Sequence, residues 1–285
     1  MRAILYALAA ILIWSTLALA GSGLKDVPPF LLLGVAFSVS GLAGILRPRG
    51  WRVPLVTLAV GVGGIFGYHF FYFRAFALAP AVEANLINYL WPLLIVLFSP
   101  LLLPGLRLHL RPRHILAALL GLAGAALIAT GGRMSLETRY LPGYLLAGCA
   151  ALTWAVYSLL TKRLPPFPTD SVGAFYLISG ILALTVQFFS PGSLEAASRL
   201  SAGQWLALAL VGLGPLGAAF FFWDAALKLG DPRKIGALAY LTPLLSTLNL
   251  VWIGGQRLTG LSFAAMLLII AGAVVGSLPE RRPGR

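Results

Sequence analysis

Apolar residues in this chain come in long blocks, with polar and helix-breaking residues confined to short stretches between them. The blocks run for about 18 to 25 residues, the length a helix needs to cross a hydrocarbon core at 1.5 Å per residue. Half-buried helices and strands would show stripes instead. The pattern predicts about ten spans, at roughly 3–22, 28–46, 54–77, 81–101, 114–131, 142–161, 171–190, 203–227, 233–253 and 260–278. The connections hold the breakers, as in Lys25-Asp26-Val27-Pro28-Pro29, Arg47-Pro48-Arg49-Gly50, Leu164-Pro165-Pro166-Phe167-Pro168 and Gly230-Asp231-Pro232. The fold class is therefore an all-α integral membrane protein with ten transmembrane helices, and no loop is long enough to be a soluble domain.

Composition agrees: 59% of the 285 residues are hydrophobic and 10% charged, where soluble domains carry about a quarter charged residues. A formal charge of +13 would suit a nucleic-acid binder, but the placement of the cations speaks against one. With the N-terminus in the cytoplasm, one side collects Arg2, Arg47, Arg49, Arg52, Arg107, Arg111, Arg113, Lys162, Arg163, Lys228, Arg233, Lys234, Arg281, Arg282 and Arg285. The other side has Lys25, Arg133, Arg139, Arg199 and Arg257, and Arg74 stays inside the third span. That bias is the positive-inside rule with both termini cytoplasmic. Arg2, the apolar run after it and Ala18-Leu19-Ala20 before Gly21 imitate a cleaved leader. The repeat described next makes span 1 a structural partner of span 6, which argues against cleavage. The single Cys149 allows no internal disulfide.

The two halves of the chain correspond. Tyr89-Leu90-Trp91-Pro92-Leu93-Leu94 in span 4 answers Tyr240-Leu241-Thr242-Pro243-Leu244-Leu245 in span 9. Gly67 with Phe70-Phe71 answers Gly217 with Phe220-Phe221, Ala123-Gly124-Ala125 answers Ala271-Gly272-Ala273, and Trp14 answers Trp154. Matches that keep helix order while their offsets drift with loop length indicate duplication of a five-helix unit, residues 1–135 and 136–285. Five is odd, so the second unit must be inserted the other way up, an inverted repeat typical of transporters.

On these features the sequence resembles the drug/metabolite transporter superfamily, EamA-type branch, over essentially its whole length. The aromatic cluster Trp14, Gly67-Tyr68-His69-Phe70-Phe71-Tyr72, Asn88-Tyr89-Leu90-Trp91-Pro92 and Trp154 is most similar to the aromatic amino-acid exporters of the YddG type. The resemblance implies a secondary transporter working by alternating access in a bacterial inner membrane. Its substrates would be aromatic and other large neutral amino acids; the alternative is a drug or other small metabolite. Two departures stand out. The Gly-Glu pair that commonly closes spans 4 and 9 is replaced by Gly105-Leu106 and Gly255-Gln256, and span 1 lacks the buried Glu of relatives that extrude lipophilic cations.

Residue spacing selects the candidate substrate site. Tyr68, His69 and Tyr72 project from one sector of span 3 and offer ring faces with polar edges. Trp14, Tyr89, Trp91 and Trp154 lie near span centres, where an interfacial aromatic belt has no reason to place them; Trp51, Trp205 and Trp252 near span ends fit that belt. Asn85, Asn88, Tyr89 and Pro92 share a face of span 4, and Pro92 cannot donate to the Asn88 carbonyl. Asn85 and Asn88 would hold the polar end of a substrate or, alternatively, bond neighbouring helices. Trp154, Tyr157 and Ser158 repeat the theme in span 6. Pro92 and Pro243 are the candidate hinges. Arg74 with Glu83 and Asp224 with Lys228 are feasible ion pairs.

Gly63-x-x-x-Gly67 and Gly272-x-x-x-Gly276 permit close helix approach, as scaffold or as the face of a weak homodimer; a monomer is equally compatible. Metal-ligand clusters, phosphate loops and nucleophile–base pairs are lacking, so neither enzyme activity nor a cofactor or metal is expected. The partners expected are a small-molecule substrate and membrane lipid, with no nucleic acid.

Overall fold

Backbone N–H and C=O groups in hydrocarbon have no water to bond and must be satisfied within the segment, which favours helices wherever the apolar blocks lie. The computed structural model describes residues 1–17, 19, 22–45, 48–106, 109–133, 136–190, 193–253 and 259–277, and all regular structure among them is helical. Ala18-Leu19-Ala20, Gly255-Gln256 and, from the charge argument, Arg47, Arg107, Arg257 and the C-terminal arginines fall wholly or partly outside the described residues.

The main helices are α1 (Arg2–Ser15), α2 (Pro29–Ile45), α3 (Leu55–Leu78), α4 (Ala81–Leu102), α5 (Pro112–Thr130), α6 (Leu141–Leu160), α7 (Val172–Phe188), α8 (Ala202–Leu229), α9 (Pro232–Trp252) and α10 (Gly260–Ser277). Seven segments, those of α3 to α9, are long and apolar enough to cross a membrane, whereas α1, α2 and α10 are apolar but shorter over the described residues. Local chemistry sets several ends. Pro112 opens α5, and Gly131, in the left-handed region at φ 57°, closes it. At α9, Pro232 follows Asp231, whose carboxylate accepts the Arg233 N–H at 2.9 Å.

Within the bounds given, α4, α8 and α9 are not continuous. α4 is interrupted at Tyr89, between Ala81–Asn88 and Leu90–Leu102. α9 is interrupted at Tyr240, between Pro232–Ala239 and Leu241–Trp252. These are the two stretches that carry the matched prolines, Pro92 and Pro243, both buried. α8 contains a π-helical turn, Gly214–Ala218, which sequence spacing did not reveal; such a turn adds a residue and rotates everything after it.

The helices pack in pairs: α2 on α7, α5 on α10, α3 on α6, and α1 on the second half of α8. The second half of α4 lies on α6, and the second half of α9 on α1; α3 also meets α7, and the first half of α8 meets α2. The α5–α10 contact is a close one. A methyl group on Gly124 would come within 2.6 Å of the Ala265 carbonyl oxygen, and one on Gly272 within 2.6 Å of that of Ala117. Gly272-x-x-x-Gly276 is thus internal scaffold. Gly63 is different, with nothing within 4 Å of its missing methyl; in α3 the close contacts fall instead at Gly61 and Gly64, against Phe175 and Tyr157. Leucines and phenylalanines such as Leu101, Phe188 and Phe189 point outward, as do Trp51, Trp205 and Trp252.

Candidate functional site

Four helices converge on a group of indole rings. α1 contributes Trp14, α4 contributes Trp91 just after its break, α6 contributes Trp154, and α8 contributes Phe220 and Trp223 just after its π-turn. Ring centroids are 6.4 Å apart for Trp14–Trp91, 6.3 Å for Trp14–Trp154, 5.2 Å for Trp14–Trp223, 5.5 Å for Trp91–Trp223 and 5.2 Å for Trp154–Phe220. Most of these contacts are edge-to-face, the arrangement that the ring quadrupole favours. Trp154 is 3% exposed and Trp223 1%. The Trp223 indole N–H donates to Ser158 Oγ at 3.2 Å, so the polar edge of the ring is satisfied at depth.

Trp223 is the member of the ring cluster that sequence reasoning missed. It falls near the end of span 8, after the turn at Gly214–Ala218, which shifts the helical phase of the residues beyond it. The Phe220–Trp223–Asp224 spacing was the only signal available.

Beside the indoles lies a polar shelf between α3 and the first half of α4. Tyr68 and Tyr72 stack, with centroids 5.6 Å apart, and Tyr68 also meets Trp154 at 5.2 Å. The Tyr72 hydroxyl donates to Asn85 Oδ1 at 3.0 Å, and Asn88 Nδ2 donates to the Tyr68 hydroxyl at 3.2 Å. The other end of the Asn88 amide is unused: Oδ1 is buried with no hydrogen-bond partner, and the residue is 4% exposed. A buried acceptor left open is costly unless something else fills it.

Tyr89, at the break, turns its phenol toward Asn85, while its carbonyl accepts the Tyr240 hydroxyl at 3.0 Å. The broken stretches of α4 and α9 are therefore bonded to each other. Sequence reasoning expected a freed carbonyl at Asn88; the long-range bond is made one residue later. α9 is also tied to α1, where Asn249 Nδ2 donates to the Ser15 hydroxyl at 3.0 Å and to its carbonyl at 3.2 Å.

His69 shares a sector with Tyr68 in α3 but points away from the asparagines. Its Nδ1–H donates to the Ile65 carbonyl at 2.7 Å, and its ring is packed against Phe37 at 4.9 Å and Phe220 at 5.9 Å. Tyr157 touches Trp154 at 5.4 Å and is 5% exposed. The remaining sequence-selected residues, Trp14, Tyr68, Tyr72, Asn85, Asn88, Tyr89, Trp91 and Trp154, are brought together. An apolar cavity of about 340 Å³, lined by Thr16, Leu19, Ala207, Leu210, Val211 and Pro215, lies between α1 and α8.

At the basic end of the bundle a second polar group ties the α6–α7 connection to the end of α8. Asp224 Oδ2 accepts from Lys228 Nζ at 2.6 Å and from Thr169 Oγ1 at 2.7 Å. Lys228 Nζ also donates to the Phe167 carbonyl at 3.0 Å and sits 3.5 Å from the centre of the Phe167 ring. Lys162 reaches the last carbonyls of α8, donating to those of Leu227, Lys228 and Gly230, where a cation complements the helix dipole. Burial holds the Lys162 amine below its ordinary range, partly countered by Asp231. Burial also pushes the Asp231 carboxyl up, but the hydrogen bonds and charge of Arg233 outweigh it and hold Asp231 below the usual carboxylate range. Arg233 in turn donates to the His109 carbonyl at 2.6 Å. The Asp224–Lys228 pair expected from spacing is present. The expected Arg74–Glu83 hairpin pair is not found among the described residues, and Glu83 Oε2 is buried without a hydrogen-bond partner. No group of three or more His, Cys, Asp or Glu able to hold a metal occurs among the described residues.

Comparison with known proteins adds the following. The family described as "EamA-like transporter family" matches residues 1–130 and 141–278. A relative from Ancylobacter novellus named "Aromatic amino acid exporter YddG" is 46% identical over 283 residues, 96% of each chain. Proteins of the same name from Salmonella typhimurium and Escherichia coli are 25% and 24% identical over 99% of this chain and 98% of theirs. A solved crystal structure superposes with a TM-score of 0.89 at 42% identity, covering 96% of this chain and 95% of that one.

Proposed function

Because this chain belongs to the EamA-like transporter family, we propose that it exports aromatic and other large neutral amino acids across the bacterial inner membrane by alternating access. The observation that carries the substrate class is the pairing of the indole cluster with the open acceptor on Asn88. An aromatic side chain entering between Trp14, Trp91, Trp154 and Trp223 exchanges one set of edge-to-face contacts for another, so little packing energy is lost. The α-ammonium group then has Asn88 Oδ1 to donate to, and Asn85 and the phenols complete the polar side. The name of the Ancylobacter novellus relative supports the same substrate class.

All ten helices cross the membrane in this reading, as two five-helix repeats, residues 1–135 and 136–285, inserted in opposite senses. The helix pairings support the repeat: exchanging α1 with α6, α2 with α7, α3 with α8, α4 with α9 and α5 with α10 maps α2·α7 and α5·α10 onto themselves and turns α3·α6 into α8·α1 and α4·α6 into α9·α1. Both termini lie in the cytoplasm on the strength of the charge bias, and the basic end of the bundle is the cytoplasmic end. Pro92 and Pro243 mark the hinges, coupled through Tyr240 and the Tyr89 carbonyl.

Uptake and counterflow of labelled Phe, Trp and Tyr in proteoliposomes tests the proposal. Saturable counterflow of all three is expected. Movement of none of them, with thermal stabilisation by lipophilic cations alone, would give the substrate class to the drug-exporter alternative.

A further inference from the structure

The Asp224–Lys228 pair is an internal zwitterion, and its surroundings are unusual for a purely structural ion pair. Asp224 is 3% exposed, yet only one of its oxygens is used: Oδ2 takes both Lys228 and Thr169, and Oδ1 is buried without a partner. Two further buried hydroxyls on the adjoining start of α7, those of Ser171 and Tyr176, also have no partner. Tyr157 touches Trp154 of the indole cluster, and its neighbour Ser158 accepts the Trp223 indole N–H. Trp223, the neighbour of Asp224 in the chain, belongs to the cluster itself. A buried carboxylate oxygen left unpaired is open to a polar guest.

We propose that Asp224 and Lys228 form a loading subsite that recognises the zwitterionic head of an amino acid as the basic end of the bundle opens. This rests on the export reading above. Opening that end must separate the α6–α7 connection from the end of α8, because Thr169, Phe167 and Lys162 all bond across that gap. Asp224 and Lys228, one turn apart on α8, stay together but lose the Thr169 hydroxyl and the Phe167 carbonyl respectively, and the molecule that fills both vacated positions at once carries an ammonium and a carboxylate. The α-ammonium takes the place of the Thr169 hydroxyl on Asp224, with Oδ1 as a second acceptor. The α-carboxylate takes the place of the Phe167 carbonyl on Lys228. The side chain is then directed past Tyr157 toward the indoles. An amine or an acid alone fills only one of the two positions, so this subsite selects zwitterions where the ring cluster selects rings.

The test is counterflow of labelled Phe with three competitors: 2-phenylethylamine, 3-phenylpropionate and 2-phenylethanol. The wild type should transport Phe and be inhibited at least tenfold less well by each analogue than by unlabelled Phe. Asp224→Asn should raise the KM for Phe at least tenfold and shift the preference toward 3-phenylpropionate. Lys228→Gln should raise it similarly and shift the preference toward 2-phenylethylamine. These opposite shifts are what a structural pair would not produce. Asp224→Asn/Lys228→Gln leaves no unpaired charge and replaces a single variant that accumulates poorly; it should lose at least tenfold of the preference for Phe over 2-phenylethanol. Unchanged competitor rankings in the variants, whatever their overall rate, would overturn the subsite and leave the export reading standing. No Phe counterflow in the wild type would overturn both.

Discussion

Consider Asn88→Leu, which bears on binding and folding in opposite ways. In the folded protein the amide makes a single side-chain hydrogen bond, from Nδ2 to the Tyr68 hydroxyl at 3.2 Å, and leaves Oδ1 buried and unpaired. Losing that bond leaves the Tyr68 hydroxyl without this partner and costs about 1–3 kcal/mol, while removing an unsatisfied buried acceptor recovers about the same. Leucine fills much the same space, so the two terms offset and folding stability should change by no more than about 1 kcal/mol. Binding has no such offset. A hydrogen bond from a charged donor contributes about 1.5–3 kcal/mol, which corresponds to about a 10- to 150-fold weakening for a substrate that carries an ammonium.

The assay is the KM for Phe counterflow in proteoliposomes, beside the melting temperature of the purified variant with and without Phe. The inhibition constant of 3-phenylpropionate, which has no ammonium, is the control and should move less than threefold. An unchanged KM for Phe in a folded variant would refute the assignment of Oδ1 to the ammonium. Equal weakening of 3-phenylpropionate would mean that Asn88 shapes the cavity rather than reads the charge.

Three further outcomes are expected. Tyr240→Phe removes the bond to the Tyr89 carbonyl and should cost about 1–3 kcal/mol, read as a lower melting temperature; if this bond couples the hinges, the maximal rate should fall more than the KM rises. Trp154→Ala, a truncation at 3% exposure with Trp14, Tyr68, Trp91, Tyr157 and Phe220 in ring contact, should cost about 3–5 kcal/mol; Trp154→Phe should keep most of the stability and lose transport of Trp before that of Phe. Asp231→Asn keeps a side chain that caps α9 and removes only the charge facing Arg233, costing about 1.5–3 kcal/mol at pH 7. The folded carboxyl titrates below its ordinary range, so this stabilisation is complete above an unfolded pKa of about 3.9 and is lost as the pH falls through the lower folded value. The gap in melting temperature between wild type and Asp231→Asn should therefore be full at pH 7 and close below about pH 4.

Much of the site could be read from local sequence. Depth in apolar runs singles out Trp14, Trp91 and Trp154, helical spacing Tyr68 and Tyr72, and a shared face Asn85 and Asn88; these side chains meet in the structure. Prolines 92 and 243 mark helices that do break, because a missing N–H and a ring in the preceding turn act wherever the chain folds. His69 illustrates the limit. Helical spacing puts it beside Tyr68, but which neighbour it faces depends on how α3 packs against α2 and α8, and there it bonds its own backbone instead.

Membrane residence, helix type, the uneven distribution of charge and the stock of aromatic residues were decided by the sequence by itself, since each depends on composition within a window shorter than one span. The tertiary structure decided which of those groups meet. Trp223 joins the indoles because the turn at Gly214–Ala218 rotates the helix beyond it. Tyr240 bonds a carbonyl in the opposite half of the chain. Asn88 and Asp224 each keep one oxygen without a partner because the rings and helices around them leave no donor within reach. An unfilled acceptor is a property of everything packed around it, and only the folded arrangement of distant residues can create one.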